Sequence, residues 1–331
     1  MTASLNSSSP SLPVAVIGAG PVGLAAAANL ALRGEPFVLL EAGPSAGHSI
    51  SQWRHVQLFS PWRYCIDGAA RQLLGESGWL APDQDALPTG GDLVDVYLTP
   101  LAAHPAIAPH TRYDARVTGV ARQSVDKLRT QDREASLFEL RLADGSSVLA
   151  RAVIDASGTW TTPSPLGVNG LPAAGEDELR DRLSYGIPDV LGAERSRFAG
   201  KRVLVVGSGH SAVNSVLDLL SLRRTEPGTA VLWALRRAAT TRLYGGEAND
   251  ALPARGALGT RARDAIESGD VALLAPFRIA RLEREGAAVR VTGDLAGVEQ
   301  SMLVDEIIVA TGFRPNLDML RELRLSLDPA L

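Results

Sequence analysis

Val14-Ala-Val-Ile-Gly18-Ala-Gly20-Pro21-Val22-Gly23, leading into Leu24-Ala-Ala-Ala-Ala-Asn-Leu-Ala-Leu32, decides the fold of this 331-residue chain. A short β-branched run, a turn of spaced glycines and an Ala/Leu-rich stretch form the strand–turn–helix of a dinucleotide-binding unit. Gly18 permits the tight turn, Gly20 leaves the backbone bare for a pyrophosphate, and Gly23 lets the helix pack closely on the sheet. The first helical N–H groups, around Pro21 and Val22, then offer a positive dipole end to the diphosphate.

Downstream, Val38-Leu-Leu-Glu41 is a second strand closed by a carboxylate that can accept hydrogen bonds from an adenosine ribose, with Ala42 beside it. The first pattern recurs as Val203-Leu-Val-Val-Gly207-Ser208-Gly209-His210-Ser211-Ala212. Two copies this far apart predict two nucleotide-binding domains of one architecture. Ala212 replaces the third glycine, a substitution that the packing role tolerates. After the next strand, Ala230 to Leu235, stand Arg236 and Arg237 where the first copy has Glu41. Arginine grips a 2′-phosphate that a carboxylate would repel, so the second cofactor is expected to be NADPH.

A further pair of echoes, Ala152-Val-Ile-Asp-Ala156-Ser157-Gly158 and Ile307-Ile-Val-Ala-Thr311-Gly312, reads as buried strands ending where the chain crosses between domains. Between them, Thr161 to Pro172 reads as a linker and Arg182 to Gly200 as an irregular approach to the second fingerprint. Asp92 to Leu101 reads as a helix, and Val117 to Val120, Phe138 to Leu142 and Val148 to Ile154 as strands around an Asp144-Gly145 hairpin turn. In the second half, Ala262 to Ser268 reads as helix, and Val271 to Leu274, Val289 to Val291 and Asp305 to Ala310 as strands.

Gln52-Trp53-Arg-His-Val-Gln-Leu-Phe59-Ser60-Pro-Trp62-Arg-Tyr64 concentrates aromatics in a chain that has 5% of them. Such a loop either covers a flavin ring or forms a satellite apolar cluster. Trp53, Phe59 and Ser60 are candidate cofactor contacts, as is Val117. The catalytic residues are not legible, with Ser60, Trp62 and His210 as weak candidates; His210 reads more readily as a neutral imidazole near phosphates. The histidines show no metal-ligand spacing, and no metal is expected.

The single cysteine, Cys65, excludes a Cys-x-x-Cys redox centre and reads as a packed thiol. A net charge of -4 argues against nucleic acid or an anionic membrane as partner. No run approaches the roughly 18 apolar residues of a membrane span. Residues 1–12 read as a disordered leader without signal-peptide character, and the cytoplasm as the location.

These residues resemble the flavin-containing monooxygenase superfamily and its bacterial FAD/NAD(P)-binding relatives, with Ala310-Thr311-Gly312-Phe313-Arg314-Pro315 matching that group's crossover motif. The resemblance implies an α/β fold of two Rossmann-like, three-layer ββα domains, the NADPH domain inserted into the FAD domain. Its divisions would be 13–160 for FAD, 161–312 for NAD(P)H and 313–331 for a return to the FAD domain. It implies FAD on Gly18, Gly20, Gly23 and Glu41, and NADPH on Gly207, Gly209, Ala212 and Arg236. The stretch Arg182 to Leu191 lacks the histidine of the monooxygenase signature, which implies a side branch, and the return is shorter than in these relatives.

The implied activity passes hydride from NADPH to FAD and then oxygen to a soft nucleophile, a small molecule. Molecular oxygen as co-substrate and a homodimer are compatible with it. Two alternatives stay open: a flavoprotein reductase of a small acceptor or partner protein, and a nucleotide-binding protein without activity.

Overall fold

The computed structural model describes residues 12–238, 243–244, 246 and 249–328. The expected leader therefore lies, except for Leu12, outside the described residues. The chain divides into two compact units, Met1–Thr159 with Pro315–Leu331, and Trp160–Arg314.

In the first unit, β1 (Val14–Ile17), β2 (Phe37–Leu40), β3 (Thr111–Arg112) and β7 (Ala152–Asp155) form a parallel sheet in the order β3-β2-β1-β7. Side chains alternate across a strand. Val14, Val16 and Leu39 accordingly face a core that holds Leu24, Ala27 and Ala28 of the Pro21–Leu32 helix. Ala15, Ile17 and Leu40 face the opposite core. That second face is covered by an antiparallel meander of β4 (Val117–Arg122), β5 (Phe138–Leu142) and β6 (Ser147–Ala150). The result is three layers: meander, sheet and helices. Leu320 is buried in the meander core, with Leu317, Met319 and Leu323 packed against it.

The second unit repeats the plan. Its parallel sheet runs β11-β10-β9-β15-β8, built from β8 (Leu183–Tyr185), β9 (Arg202–Val206), β10 (Ala230–Ala234), β11 (Ala272–Leu274) and β15 (Glu306–Val309). Val203 and Val205 face the His210–Thr225 helix, while Leu204 and Val206 face a second meander. That meander comprises β12 (Phe277–Glu285), β13 (Ala288–Leu295) and β14 (Val298–Val304). The fold is thus the expected α/β pair of ββα units, one inserted in the sequence of the other.

Several local expectations are corrected. Val148 to Ile154 is two strands, because the chain leaves the meander after Ala150 and joins the parallel sheet at Ala152. The stretch from Arg182 contains β8, paired in parallel with β15. The helix expected at Ala262 begins at Pro253. β12 and β14 had no counterpart in the sequence reading. The helix expected over Asp92 to Leu101 is present but interrupted, with Leu93–Leu98 wound as π-helix.

A buried carboxylate organises the second unit locally. Glu176 is fully buried and accepts from Leu166 N at 3.1 Å, Ala173 N at 2.7 Å and the Tyr185 hydroxyl at 2.7 Å. Burial first, and then the bond to Glu176, push the Tyr185 hydroxyl pKa well up. Among the described residues no helix is long and apolar enough to cross a membrane.

Candidate functional sites

Adding a Cβ to each fingerprint glycine separates those the protein needs from those it leaves free. At Gly18 (φ +97°) it would lie 2.6 Å from Ala156 O, and at Gly23 1.8 Å from Gly18 O. These two glycines are required by the turn and by helix packing. At Gly20 it would meet nothing within 4 Å. The bare backbone there faces open space, as a turn that receives a pyrophosphate must. Gly20 caps the Pro21–Leu32 helix with no side-chain bond to its N–H groups, Val22 beside it is 69% exposed, and Pro21 is half-buried.

Three contacts lock this turn. Gly18 N donates to Leu40 O at 2.7 Å, and Ala156 N donates to Ile17 O at 2.9 Å. Glu41 supplies the third: its Oε2 accepts from Ala19 N at 2.6 Å and its Oε1 from Gly43 N at 2.8 Å. An ionised carboxylate has about four acceptor positions, so two N–H groups orient it and leave capacity for ribose hydroxyls. Ala42 beside it is exposed. Ser157 and Gly158 close the opposite side; Ser157 N donates to Asp155 Oδ1 at 3.0 Å, and Gly158 (φ +71°) borders open space.

The second fingerprint follows the same logic. A Cβ on Gly207 (φ +134°) would lie 2.2 Å from Ala310 O, whereas on Gly209 it would meet nothing within 4 Å. Gly207 N donates to Ala234 O at 3.1 Å. Here the lock is a tryptophan: Trp233 Nε1 donates to Gly207 O at 2.8 Å. Ala212 is buried against the sheet, so this helix accommodates the methyl that Gly23 excludes. The His210–Thr225 helix has no side-chain cap and no acidic residue in its first turn. Ser208, just before it, and His210 at its first position are exposed, and Ser211 is half-buried. Burial first, then the positive charge of Arg255, push the His210 pKa down, which favours a neutral ring.

Arg236 and Arg237 follow β10 and are exposed; Arg236 Nη1 donates to Val168 O at 3.1 Å. Thr311 and Gly312 lie at the end of β15, where Thr311 Oγ1 donates to Ser164 O at 2.6 Å. Residues 162–164 and 312–314 run antiparallel, joined by Ser164 N to Gly312 O at 2.8 Å and Arg314 N to Thr162 O at 2.9 Å. Trp160 stacks on Phe313 beside them, with centroids 4.7 Å apart.

The aromatic loop is placed differently from the fingerprints. Trp62 is buried in the helix-side core with 4% exposure, which removes it from the candidate catalytic groups. Trp53 packs on the same core, and Gly90 is glycine because a Cβ there would lie 2.7 Å from the Trp53 ring. Phe59 and Ser60 are half-buried at the loop's end. The Cys65 thiol donates to Ser60 O and Pro61 O at 3.6 and 3.5 Å, and burial pushes its pKa up. Val117 is half-buried and packs on the meander side of the sheet.

Sequence reading missed Trp233, Arg255 and Tyr113. Tyr113 lies beside Glu41: burial and then that carboxylate's charge raise its hydroxyl pKa. Only the spacing of Trp233, two residues before Leu235 on the second strand of its unit, carried a signal for any of them.

The sequence profile of the pyridine nucleotide-disulphide oxidoreductases matches residues 12–330. The chain is 32% identical over 212 residues to indole-3-pyruvate monooxygenase YUCCA1 of Oryza sativa subsp. japonica, covering 62% of this chain and 44% of that protein. It is 27% identical over 208 residues to the ferredoxin–NADP reductase of Thermus thermophilus, covering 61% and 54%. The matched stretches thus span about half the length of these relatives. Bacillithiol disulfide reductase Bdr (YpdA) from Staphylococcus aureus shares the fold, with a TM-score of 0.70 at 15% identity, covering 96% of this chain and 81% of that one.

Proposed function

The chain belongs to the pyridine nucleotide-disulphide oxidoreductase family, and on that footing we propose an FAD-dependent oxidoreductase that draws hydride from NADPH and oxygenates a soft nucleophile. One observation carries the cofactor assignment. Gly20 and Gly209 each hold open backbone at an uncapped helix start, while the following strands end in Glu41 and in Arg236-Arg237. The first set fits a nucleotide whose ribose is free, the second one whose ribose carries a phosphate.

FAD, when bound, supplies the hydride acceptor and the oxygen chemistry. The residues supply placement. The N–H groups of the Pro21–Leu32 helix hold the diphosphate, and Glu41 fixes the ribose. His210 stands at the phosphate end of the second site, its pKa pushed down by burial and then by the positive charge of Arg255. Thiol–disulfide chemistry on this chain's own cysteines is not part of the reading, because Cys65 is single and its pKa is raised. The sulfur, nitrogen or metalloid atom of a small substrate fits the oxygenase reading.

The test is a visible spectrum of the purified protein reconstituted with FAD, with NADPH added first without oxygen and then with it. Flavin bands that bleach with NADPH and return with oxygen support the cofactor pair. Oxygenated product in proportion to NADPH consumed supports the monooxygenase; NADPH turnover with an electron acceptor and no oxygenated product makes it a reductase. No retained flavin and no turnover would leave only a nucleotide-binding protein.

A further inference from the structure

We propose that a groove walled by Arg122, Arg133 and Arg324 binds a phosphate group, free or as a phosphomonoester, and that this anion fastens residues 317–325 to the first unit. None of the lining residues belongs to either fingerprint, so the site stands whether or not those hold nucleotides.

Residues 123–137 join β4 to β5, and cations tie them to the chain's later segment. Lys127 Nζ donates to Arg321 O at 2.6 Å, and Arg133 Nη2 to Glu322 O at 2.8 Å. In return Arg324 donates to Lys127 O at 2.9 Å, Leu128 O at 3.0 Å and Thr130 Oγ1 at 3.1 Å. Arg133 Nη1 also donates to Asp126 O at 2.6 Å. Arg122 Nη1 donates to Ser136 O at 2.6 Å, with its guanidinium 3.9 Å from the centre of the Phe138 ring. Every one of these partners is neutral.

Arg133 is only 8% exposed, and a buried charge is costly unless an opposite charge pairs with it. Among the described residues, none of the three guanidinium groups has a carboxylate oxygen within 4.0 Å. The groove's two acidic residues, Asp132 and Glu134, are exposed and stand off from them. A guanidinium carries five N–H donors. Arg122 has spent one, Arg133 two and Arg324 three. All three line one groove of about 610 Å³, within the roughly 300–1,000 Å³ of small-molecule sites.

The missing partner is therefore an anion. Phosphate suits three guanidinium groups better than a carboxylate does, because it offers more oxygens for forked, charge-assisted bonds. Phe138, Leu323 and Leu325 give the groove an apolar side for the organic part of a monoester. One such anion would bridge β4, the loop after it and the segment that carries Arg324.

Calorimetric titration in saturating FAD and NADP+, with inorganic phosphate or phenyl phosphate against sodium chloride of equal ionic strength, tests the site. Saturable binding is expected, at least about tenfold weaker in R122Q and R324Q and lost in R133M. Tighter binding of phenyl phosphate makes the ligand a monoester; equal or weaker binding makes it free phosphate. Amide hydrogen exchange over residues 317–325 should slow when phosphate is added to the parent, and not in R133M or R324Q. Should R133M fail to fold, R122Q and R324Q, whose side chains reach solvent, carry the same comparison. Heats that match chloride, affinity unchanged across the variants, or exchange indifferent to phosphate overturns the proposal. Phosphate binding through these arginines in a protein that takes up neither FAD nor NADP+ would overturn only the nucleotide reading.

Discussion

Glu41→Gln should weaken the apoprotein and its hold on FAD together. The two carboxylate oxygens accept separate backbone N–H groups, Ala19 N at 2.6 Å and Gly43 N at 2.8 Å. A glutamine of the same shape can turn its carbonyl to only one of them. The other N–H then faces an amide NH2, donor against donor. A hydrogen bond to a charged group contributes roughly 1.5–3 kcal/mol, against about 0.5–1.5 for a neutral one. Losing one and neutralising the other costs about 2–4 kcal/mol. In a domain of 150–250 residues each kcal/mol moves Tm by about 2–4 °C, so the drop should be roughly 4–16 °C. FAD affinity should fall about tenfold or more, because the remaining acceptor capacity for the ribose loses its charge. Scanning calorimetry of flavin-free protein and an FAD titration read the two effects separately. An unchanged Tm with unchanged FAD affinity would refute the shared role of this carboxylate.

Four further outcomes can be measured. Gly20→Ala should leave apo stability unchanged within about 1 kcal/mol and abolish tight FAD binding. Gly18→Ala, forced against Ala156 O at a left-handed φ, should destabilise the fold itself, by chemical denaturation, at least 1–2 kcal/mol or so. Arg236→Ala should lower the NADPH-over-NADH preference in kcat/KM by on the order of tenfold, and weaken 2′,5′-ADP binding without weakening that of ADP. Tyr185 has a pKa raised above that of the unfolded chain, so its contribution is full below about pH 10 and is lost as pH rises through the folded value. Denaturant unfolding should show that alkaline loss in the parent and a shallower one in Tyr185→Phe; identical slopes would exclude it.

The parallel sheets were legible because their strands are apolar on both faces and end in glycine turns, as in Val14–Ile17 and Val203–Val206. β12 was not. Phe277-Arg-Ile-Ala-Arg-Leu-Glu-Arg-Glu285 is rich in helix formers, and its strand character comes from pairing along β13. β14 begins Val298-Glu-Gln-Ser, exposed and polar, and is held by the same partner. At the sites, fingerprint glycines announce themselves because they answer to local backbone needs. The Glu41 fork and Trp233 on Gly207 O each join residues far apart in sequence, and depend on register that no local pattern encodes. Trp62 misled because an aromatic run looks alike whether it lines a site or fills a core.

The packing of Leu320 into the meander face carries a consequence for biosynthesis. On the ribosome the host unit's sheet and meander emerge first, then the whole inserted unit, and the Leu317–Leu323 segment only afterwards. Val120, Leu140 and Leu142 must therefore wait, without the leucine that completes their core, while the guest is translated. Vectorial synthesis favours completion of the guest before its host, so the host's meander core closes only after the inserted unit has been made.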